Sequence, residues 1–313
     1  MRELSKGQRD ALLFGAMTGP MAVVCGGKSL VWAIPAVAIA WVIYAAVRKK
    51  LPEGRGLAEF LPVWILIPEL LFLILAAAQT ASHAAIGWQA SGAWPLFPLI
   101  LLALGGAAAW QDTDGIVRCA VLLTLGCVLF YATVLGASAL EQREIPKVGE
   151  WTEGFPILIT ALSAVCGLFL PAKKGGTRFW IGTALFTALL LFATAGKRGD
   201  IPFLTAVKGI ELFGILQRFE ALASCVMTAG LFLMLALLAG AGGEIVKCLG
   251  IAQVKGWAVI APAALVVWWI DEVDPMIFTV GAAIFWGVIP LLTLPVVGLK
   301  NAEKRTEKRE KSS

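Results

Sequence analysis

Glu69 is a carboxylate that lies well inside an apolar run, LIPELLFL. An ionisable side chain in the hydrocarbon layer of a membrane is costly unless it faces a cavity or a partner, so it marks a candidate functional site. A proton or a bound cation would neutralise such a carboxylate. Glu69 is therefore a candidate coupling residue for a proton or a cation. The alternative is that Glu69 lies at the cytoplasmic interface, where water solvates its charge.

A second candidate site surrounds a proline in the segment ALLFGAMTGPMAVVC, which contains Gly15, Thr18, Gly19 and Pro20. Pro20 has no backbone N–H and disfavours helical geometry in the residue before it, so we predict a break in the helix here. A break within a membrane exposes backbone N–H and carbonyl groups that suit a carboxylate or a cation. The alternative is that Gly15 and Gly19, one helical turn apart, allow a neighbouring helix to approach closely.

Similar features occur in the segment FPILITALSAVCGLFLP, where Ser163 and Gly167 lie at a comparable depth. Thr228 lies near the middle of a later apolar run. Bare peptide groups together with these hydroxyls would suit a small zwitterion such as an amino acid. The predicted substrate-binding residues are Gly15, Thr18, Gly19, Ser163, Gly167 and Thr228.

Membrane-spanning helices must position these residues, because the composition excludes a soluble globular protein. Apolar residues make up 59% of the chain, charged residues 15%, and the mean hydropathy is +0.83. A helix needs about 20 mostly apolar residues to cross a bilayer, and the sequence offers about ten such segments. We therefore predict an all-α, polytopic membrane protein. The predicted spans are 11–25, 30–47, 60–86, 93–110, 116–139, 155–171, 179–196, 217–242, 256–270 and 277–299.

The basic residues predict the orientation of these spans. Lys and Arg are concentrated in the segments that would be cytoplasmic if the N-terminus is cytoplasmic, and cytoplasmic loops retain such residues. Both termini are therefore predicted to be cytoplasmic. The end of the chain, KNAEKRTEKREKSS, carries mixed charge without apolar periodicity, and we predict a solvated tail beside anionic lipid head groups. Nothing in the sequence favours nucleic-acid binding.

A polar linker, EQREIPKVGEWTEG at 141–154, divides the predicted spans equally. An odd number of spans in each half forces the halves into opposite orientations, as in transporters built from inverted repeats. We predict a single integral membrane domain, 1–313, with a transporter-like 5+5 inverted-repeat fold. Residues 1–140 form the first five-helix repeat, 155–299 the second, and 300–313 the basic cytoplasmic tail.

Enzymatic, metal-binding and cofactor-binding functions have no signature in this sequence. There is no GxSxG, P-loop, HExxH or dinucleotide-binding glycine pattern. His83 is the only histidine, and the cysteines form no CxxC pair, so we predict neither a metal site nor a cofactor. The polar residues Gln79, Thr80, Ser82 and His83 fit either interhelical hydrogen bonds or an outer vestibule.

Several segments, taken in order, resemble the spore germination permease family, which supplies the B subunit of nutrient germinant receptors. RFEALASCVMTAGLFLMLAL, preceded by IPFLTAVKGIELFGILQ, is similar to the eighth helix of that family. FGAMTGP, GGKSLVWAIPAVAIAW and LPEGRGLAEFLP resemble its first three helices, and GVIPLLTLPVVGLKNAEKRTEKREK resembles its last helix and basic tail. The segment GLFLPAKK differs, because the family carries a longer stretch with a glutamate there.

The resemblance implies the fold of amino acid, polyamine and organocation transporters. It also implies a location in the cell membrane or the spore inner membrane, and a complex with a large A subunit and a lipoprotein C subunit. The chain would then be a receptor subunit that binds an amino acid or a similar small germinant. Two alternatives stay open: a proton- or sodium-coupled amino acid transporter, and a scaffold subunit that binds no ligand.

Overall fold

A computed structural model describes residues 5–24, 30–86, 96–110, 113–141, 155–171, 173, 178–195, 201–208, 219–251 and 255–310. Across these ranges the secondary structure is helical, and none of their residues forms a strand. The helices before the polar linker are α1 (Lys6–Val24), α2 (Leu30–Lys50), α3 (Val63–Ile86), α4 (Phe97–Trp110) and α5 (Thr113–Glu141). The helices after it are α6 (Phe155–Ser163), α7 (Phe179–Ala193), α8 (Pro202–Lys208), α9 (Phe219–Cys248), α10 (Trp257–Val266), α11 (Pro275–Ala282) and α12 (Ile289–Glu310).

Short segments of other helical types adjoin these α-helices. Three are 3₁₀ segments, at Leu57–Phe60, Ala164–Leu168 and Ile270–Glu272. A π-helical segment, Ala283–Val288, joins α11 to α12. The last predicted span is therefore one helical run with a change of pitch in its middle.

Several helices have the length and composition needed to cross a membrane. Within the described residues, 5 segments meet this requirement. They are Trp32–Lys50, Val63–Ala84, Ala120–Ser138, Ala221–Cys248 and Pro275–Leu299. Shorter apolar helices are Phe97–Ala109, Pro156–Leu168, Phe179–Ala193 and Trp257–Val266. These helices indicate an integral membrane protein.

The distribution of side chains supports contact with lipid. Large apolar side chains project outward, for example Trp64 at 74% exposure and Leu265 at 76%. Polar side chains such as Glu69, Thr124 and Ser138 are buried within the bundle instead. Burying polar groups against each other and exposing apolar ones is the arrangement expected when the surrounding solvent is hydrocarbon.

Helix α9 forms the centre of the bundle. It packs against α1, α3, α4, α5, α8 and α10, and its side chains from Leu233 to Ala239 are all buried. A helix that is apolar on every side requires neighbours on every side, and the surrounding helices provide them. Helix α9 ends at Cys248, several residues beyond the predicted span 217–242.

Contacts along pairs of helices define their relative directions. Gly15 of α1 lies against Leu233 of α9, and Gly19 lies against Gly230, so these two helices are antiparallel. Helices α5 and α7 are parallel, because Tyr131 packs on Phe186 and, two turns later, Ser138 Oγ donates to the carbonyl oxygen of Ala193.

The predicted break in the first span is wrong. Helix α1 is continuous from Lys6 to Val24 and contains Pro20. A proline removes only its own N–H from the helical ladder, and membrane helices tolerate this loss when neighbouring groups re-satisfy the backbone. The Thr18 hydroxyl donates to the carbonyl oxygen of Gly15 at 2.8 Å, so an additional hydrogen bond supports this turn.

The corresponding segment of the second half changes its helical type. Helix α6 ends at Ser163 and continues as the 3₁₀ segment Ala164–Leu168, which contains Gly167. The backbone therefore changes from α-helical to the tighter 3₁₀ geometry directly after Ser163, and Gly167 lies within the 3₁₀ segment. At the C-terminus, α12 continues to Glu310, so the backbone of the predicted solvated tail is helical up to that residue. Glu, Lys and Arg have high helix propensity, which favours this extension.

Candidate functional site

The buried carboxylate of Glu69 is the chemical centre of the candidate site. Its side chain is 0% exposed, and Oε1 accepts a hydrogen bond from Trp286 Nε1 at 3.1 Å. Among the described residues, Oε2 has no hydrogen-bond partner. A carboxylate has capacity for several donors, so this group is under-satisfied in apolar surroundings.

Three irregular helical segments meet at this carboxylate. Glu69 follows Pro68, which lies inside α3 and leaves the carbonyl of Trp64 without its usual helical donor. Trp286 lies in the π-helical segment Ala283–Val288. Cys166, which interacts electrostatically with Glu69, lies in the 3₁₀ segment Ala164–Leu168. Short 3₁₀ and π segments inside longer helices often mark hinges and functional sites.

Aromatic rings form one wall of the site. The ring centroid of Phe72 lies 4.8 Å from that of Trp286 and 5.2 Å from that of Phe285. Phe72 also approaches Gly281 so closely that a Cβ at this position would overlap its ring. The glycine therefore allows the aromatic cluster to pack against α11. The cluster keeps the surroundings of Glu69 apolar, which increases the cost of an uncompensated charge.

This arrangement can bind a compact positive group. A proton, a monovalent cation or the ammonium group of a solute would each neutralise the carboxylate and use the unpartnered oxygen. Glu69 lies about 9 Å along α3 from its first residue, at a rise of about 1.5 Å per residue. That position corresponds to the predicted cytoplasmic half of the bundle.

The predicted substrate-binding residues fall into two groups. Ser163 and Gly167 belong to the region around Glu69, because Gly167 follows Cys166 directly. The Ser163 hydroxyl donates to the carbonyl oxygen of Thr160, and Gly167 faces the side chain of Leu13 in α1. The 3₁₀ segment therefore connects the Glu69 region to the middle of α1.

The second group lies at the crossing of α1 and α9. A Cβ at Gly19 would overlap the backbone of Gly230 and Leu231, and a Cβ at Gly15 would overlap Thr124 Oγ1. Thr228 lies on α9 within one turn of this crossing. The geometry matches the close-approach alternative for Gly15 and Gly19, since backbone atoms of the neighbouring helix occupy the space beside Gly19. A role in solute binding for this group stays a prediction.

At the other end of α3, one of the predicted polar residues makes an interhelical hydrogen bond. Ser82 Oγ donates to Asp271 Oδ1 at 2.8 Å, which joins α3 to the 3₁₀ segment Ile270–Glu272. With the Glu69–Trp286 hydrogen bond, this contact holds α3 antiparallel to the run formed by α11 and α12.

Trp286, the donor to Glu69, was not among the site residues predicted from the sequence. The two residues are 217 positions apart, and no local pattern connects them. The burial of Arg9 and Arg48 was not predicted either: both stand at the edges of predicted spans, yet their side chains are only 1% and 2% exposed. Arg48 lies in the last turn of α2, and nothing in the local sequence indicates its burial.

A scan against protein-family models and a search of the curated proteins give no match to this chain. The resemblance to the spore germination permeases therefore depends on the sequence segments described above.

Proposed function

We propose that this chain is the membrane subunit of a nutrient-germinant receptor, and that it binds an amino acid or a similar small solute within its helix bundle. The observation that carries the proposal is the Glu69 carboxylate, which is fully buried and has one oxygen without a described hydrogen-bond partner. A carboxylate in these surroundings attracts a compact positive group. The ammonium group of an amino acid is such a group.

The proposal includes a 5+5 inverted repeat. If the spans of the two halves correspond in order, α1 corresponds to α6, α2 to α7, α3 to α9, α4 to α10, and α5 to the run of α11 and α12. In such a repeat, a packing pair is expected to have a counterpart in the other half. Three pairs have one, whereas the extensive contact of α1 with α9 has no counterpart of comparable size between the described residues of α6 and α3. The contact of α1 with α7 is matched by the contact of α6 with α2. The contact of α4 with α9 is matched in the same way by the contact of α10 with α3. Likewise, α5 packs on α7 and α12 packs on α2.

Two further features of the packing support the repeat. The corresponding pairs α2 with α7, α3 with α9 and α4 with α10 are themselves in contact, as expected for helices around a pseudo-two-fold axis. The observed directions are also consistent with alternate crossings. In that scheme the first and eighth spans run in opposite directions, and the corresponding helices α1 and α9 are antiparallel. The fifth and seventh spans run in the same direction, and the corresponding helices α5 and α7 are parallel.

The resemblance to the spore germination permeases supplies the biological context of the proposal. In that context the chain lies in the cell membrane or the spore inner membrane with both termini cytoplasmic, and it assembles with A and C subunits. The germinant would shift a conformational equilibrium by binding one state more tightly than the other. The 3₁₀ and π segments beside Glu69 are the elements that we expect to change between these states.

The test is a binding screen on the purified full chain. We expect at least one of the common amino acids to raise the thermal unfolding temperature of the wild type. A ligand at a hundredfold excess over its Kd stabilises by about 2.7 kcal/mol. The Glu69→Gln variant should lose this effect, because its neutral amide cannot pair with an ammonium group.

Glu59→Gln is the matched control. Glu59 is a partly exposed carboxylate that forms an ion pair with Arg55 at 3.4 Å on the 3₁₀ segment Leu57–Phe60. This variant should respond to the amino acid as the wild type does. An amino acid that stabilises Glu69→Gln as strongly as the wild type would place the binding site elsewhere.

A coupled transporter is the second candidate, because a buried carboxylate with an unpartnered oxygen can also carry a proton or Na⁺. Proteoliposomes that contain only this chain separate the two functions. Accumulation of a radiolabelled amino acid driven by a proton or sodium gradient, and lost in Glu69→Gln, would favour the transporter. Binding without accumulation would favour the receptor, and the absence of both would favour the scaffold subunit.

A further inference from the structure

Two buried arginines converge at the end of the bundle that is predicted to be cytoplasmic. Arg9 Nη1 and Arg48 Nη2 donate to the same carbonyl oxygen, that of Lys173, at 3.2 Å and 2.7 Å. The two side chains come from the start of α1 and the end of α2. The shared acceptor lies between the 3₁₀ segment Ala164–Leu168 and α7. Two separate parts of the chain therefore bring positive charge to one backbone carbonyl oxygen of a third part.

Neutral hydrogen-bond donors lie beside this pair. The Tyr44 side chain is 0% exposed and lies within electrostatic reach of Arg9, Arg48 and Asp10. The Tyr44 ring packs against Trp180, with centroids 6.0 Å apart. Among the described residues, neither the Tyr44 hydroxyl nor the Trp180 indole N–H has a hydrogen-bond partner. A buried donor without an acceptor is unfavourable, so the cluster favours a ligand that can accept hydrogen bonds.

The described side chains give the cluster a net positive charge. Arg9 and Arg48 are joined by the basic residues Lys173 and Arg178 of the connection between the 3₁₀ segment and α7. Asp10 is the carboxylate that faces the described part of the cluster, and it also interacts with Arg178. The cluster lies at the first turns of α1 and α7, where the helix dipoles add partial positive charge, and at the C-terminal end of α2, where the dipole is negative and favours Arg48.

The predicted spans place the cluster at the cytoplasmic boundary of the membrane, which is the level of the lipid phosphates. Arg9 stands two residues before the apolar run that starts at Ala11, and Arg48 follows the apolar run of α2. Exposed Lys173 and Arg178 lie on the solvent side of the buried pair. A phosphate group offers several charged acceptor oxygens, which matches two guanidinium groups together with hydroxyl and indole donors.

We infer that the inner ends of α1, α2 and α7 form a binding site for a phosphate group. The expected source is the head group of an anionic phospholipid in the inner leaflet, and the alternative source is free phosphate from the cytoplasm. This inference does not depend on the proposed germinant function, because it uses none of the residues around Glu69.

The test measures thermal unfolding of the full chain purified in detergent, with two probes. One is phosphatidylglycerol added to phosphatidylcholine mixed micelles, and the other is inorganic phosphate without lipid. We expect phosphatidylglycerol to raise the unfolding temperature of the wild type. Tyr44→Phe should weaken the apparent affinity about tenfold, since it removes one hydrogen bond to a charged group.

Tyr131→Phe is the matched control, because Tyr131 is also buried, its hydroxyl also lacks a described partner, and it lies against Phe186 and Phe203 away from the arginines. This variant should keep the wild-type affinity. If Tyr44→Phe fails to fold, Trp180→Phe replaces it, with the same expected loss.

A Tyr44-dependent response to inorganic phosphate alone would support the site and identify free phosphate as its source. A Tyr44-dependent response to phosphatidylglycerol alone would support the lipid. The inference is overturned if neither probe raises the unfolding temperature, or if Tyr44→Phe and Trp180→Phe respond as strongly as the wild type.

Discussion

At the scale of single residues, the hydrogen bond between Trp286 and Glu69 determines the chemistry of the candidate site. It is the one hydrogen bond that the described residues supply to a fully buried carboxylate. The indole donor is neutral, so it reduces the cost of burying the carboxylate without cancelling its charge. The remaining oxygen is therefore available to a proton, a cation or an ammonium group.

This hydrogen bond should contribute measurably to stability. We expect Trp286→Phe to lower the free energy of unfolding by about 1–2 kcal/mol, because the aromatic packing is largely kept while the buried carboxylate loses its donor. Trp269→Phe is the control, since Trp269 is 65% exposed and its loss should change the stability little. Denaturant titration of both variants in detergent tests this expectation, and equal stabilities would contradict it.

At the scale of helices, the sequence predicted the apolar segments well because a membrane helix depends on local composition alone. Each predicted span overlaps a helix of the structure, and within the described residues 5 segments are long and apolar enough to cross a membrane. The sequence did not predict the 3₁₀ segment at 164–168 or the π segment at 283–288, because such changes of pitch depend on neighbouring helices. It also failed at Pro20, where a local preference for a break is overridden by packing of α1 against α9.

The burial of Arg9 and Arg48 was unpredictable for a related reason. Both arginines lie beside apolar runs, where most basic residues extend towards water. Their burial depends on hydrogen bonds to the carbonyl oxygen of Lys173, a residue that is distant from both arginines in the sequence. The same holds for Trp286, whose role depends on a contact between the third and the last spans.

The crossing of α1 and α9 supplies a test at this scale. A Cβ at Gly19 would overlap the backbone of Gly230 and Leu231, which cannot move without separating the two helices. We expect Gly19→Ala to destabilise the protein by about 1–3 kcal/mol. Gly136→Ala in α5 is the control, because no atom lies within 4 Å of its added Cβ and alanine has the higher helix propensity.

The measurement is thermal unfolding of the two variants beside the wild type. Gly136→Ala should be neutral or slightly stabilising. An unchanged unfolding temperature for Gly19→Ala would show that α1 and α9 are further apart than described, and it would restore Gly19 as a candidate for direct solute contact.

At the scale of the whole molecule, the packing pattern connects the two halves more closely than a pair of separate bundles would. Helix α1 packs on α7 and α9, and α3 packs on α9 and α10, so each half covers apolar surface of the other. The proposed inverted repeat would place the region between the halves near the middle of the membrane. The Glu69 region lies between α3, the segment 164–168 and the segment 283–288, on the predicted cytoplasmic side of that middle.

The proposed inverted repeat requires opposite insertion of the two halves, and cysteine labelling in intact cells tests this requirement. In a variant without its native cysteines, Glu53→Cys and Gln111→Cys should resist a membrane-impermeant maleimide, because both follow even-numbered spans of the first half and are predicted to be cytoplasmic. Glu272→Cys should react. Glu272 follows the ninth span, which corresponds to the fourth span of the first half. If the second half is inverted, this position lies outside the cell. All three sites should react after the cells are permeabilised. If Gln111→Cys and Glu272→Cys show the same accessibility in intact cells, the halves are not inverted, and the symmetric packing would then require another explanation.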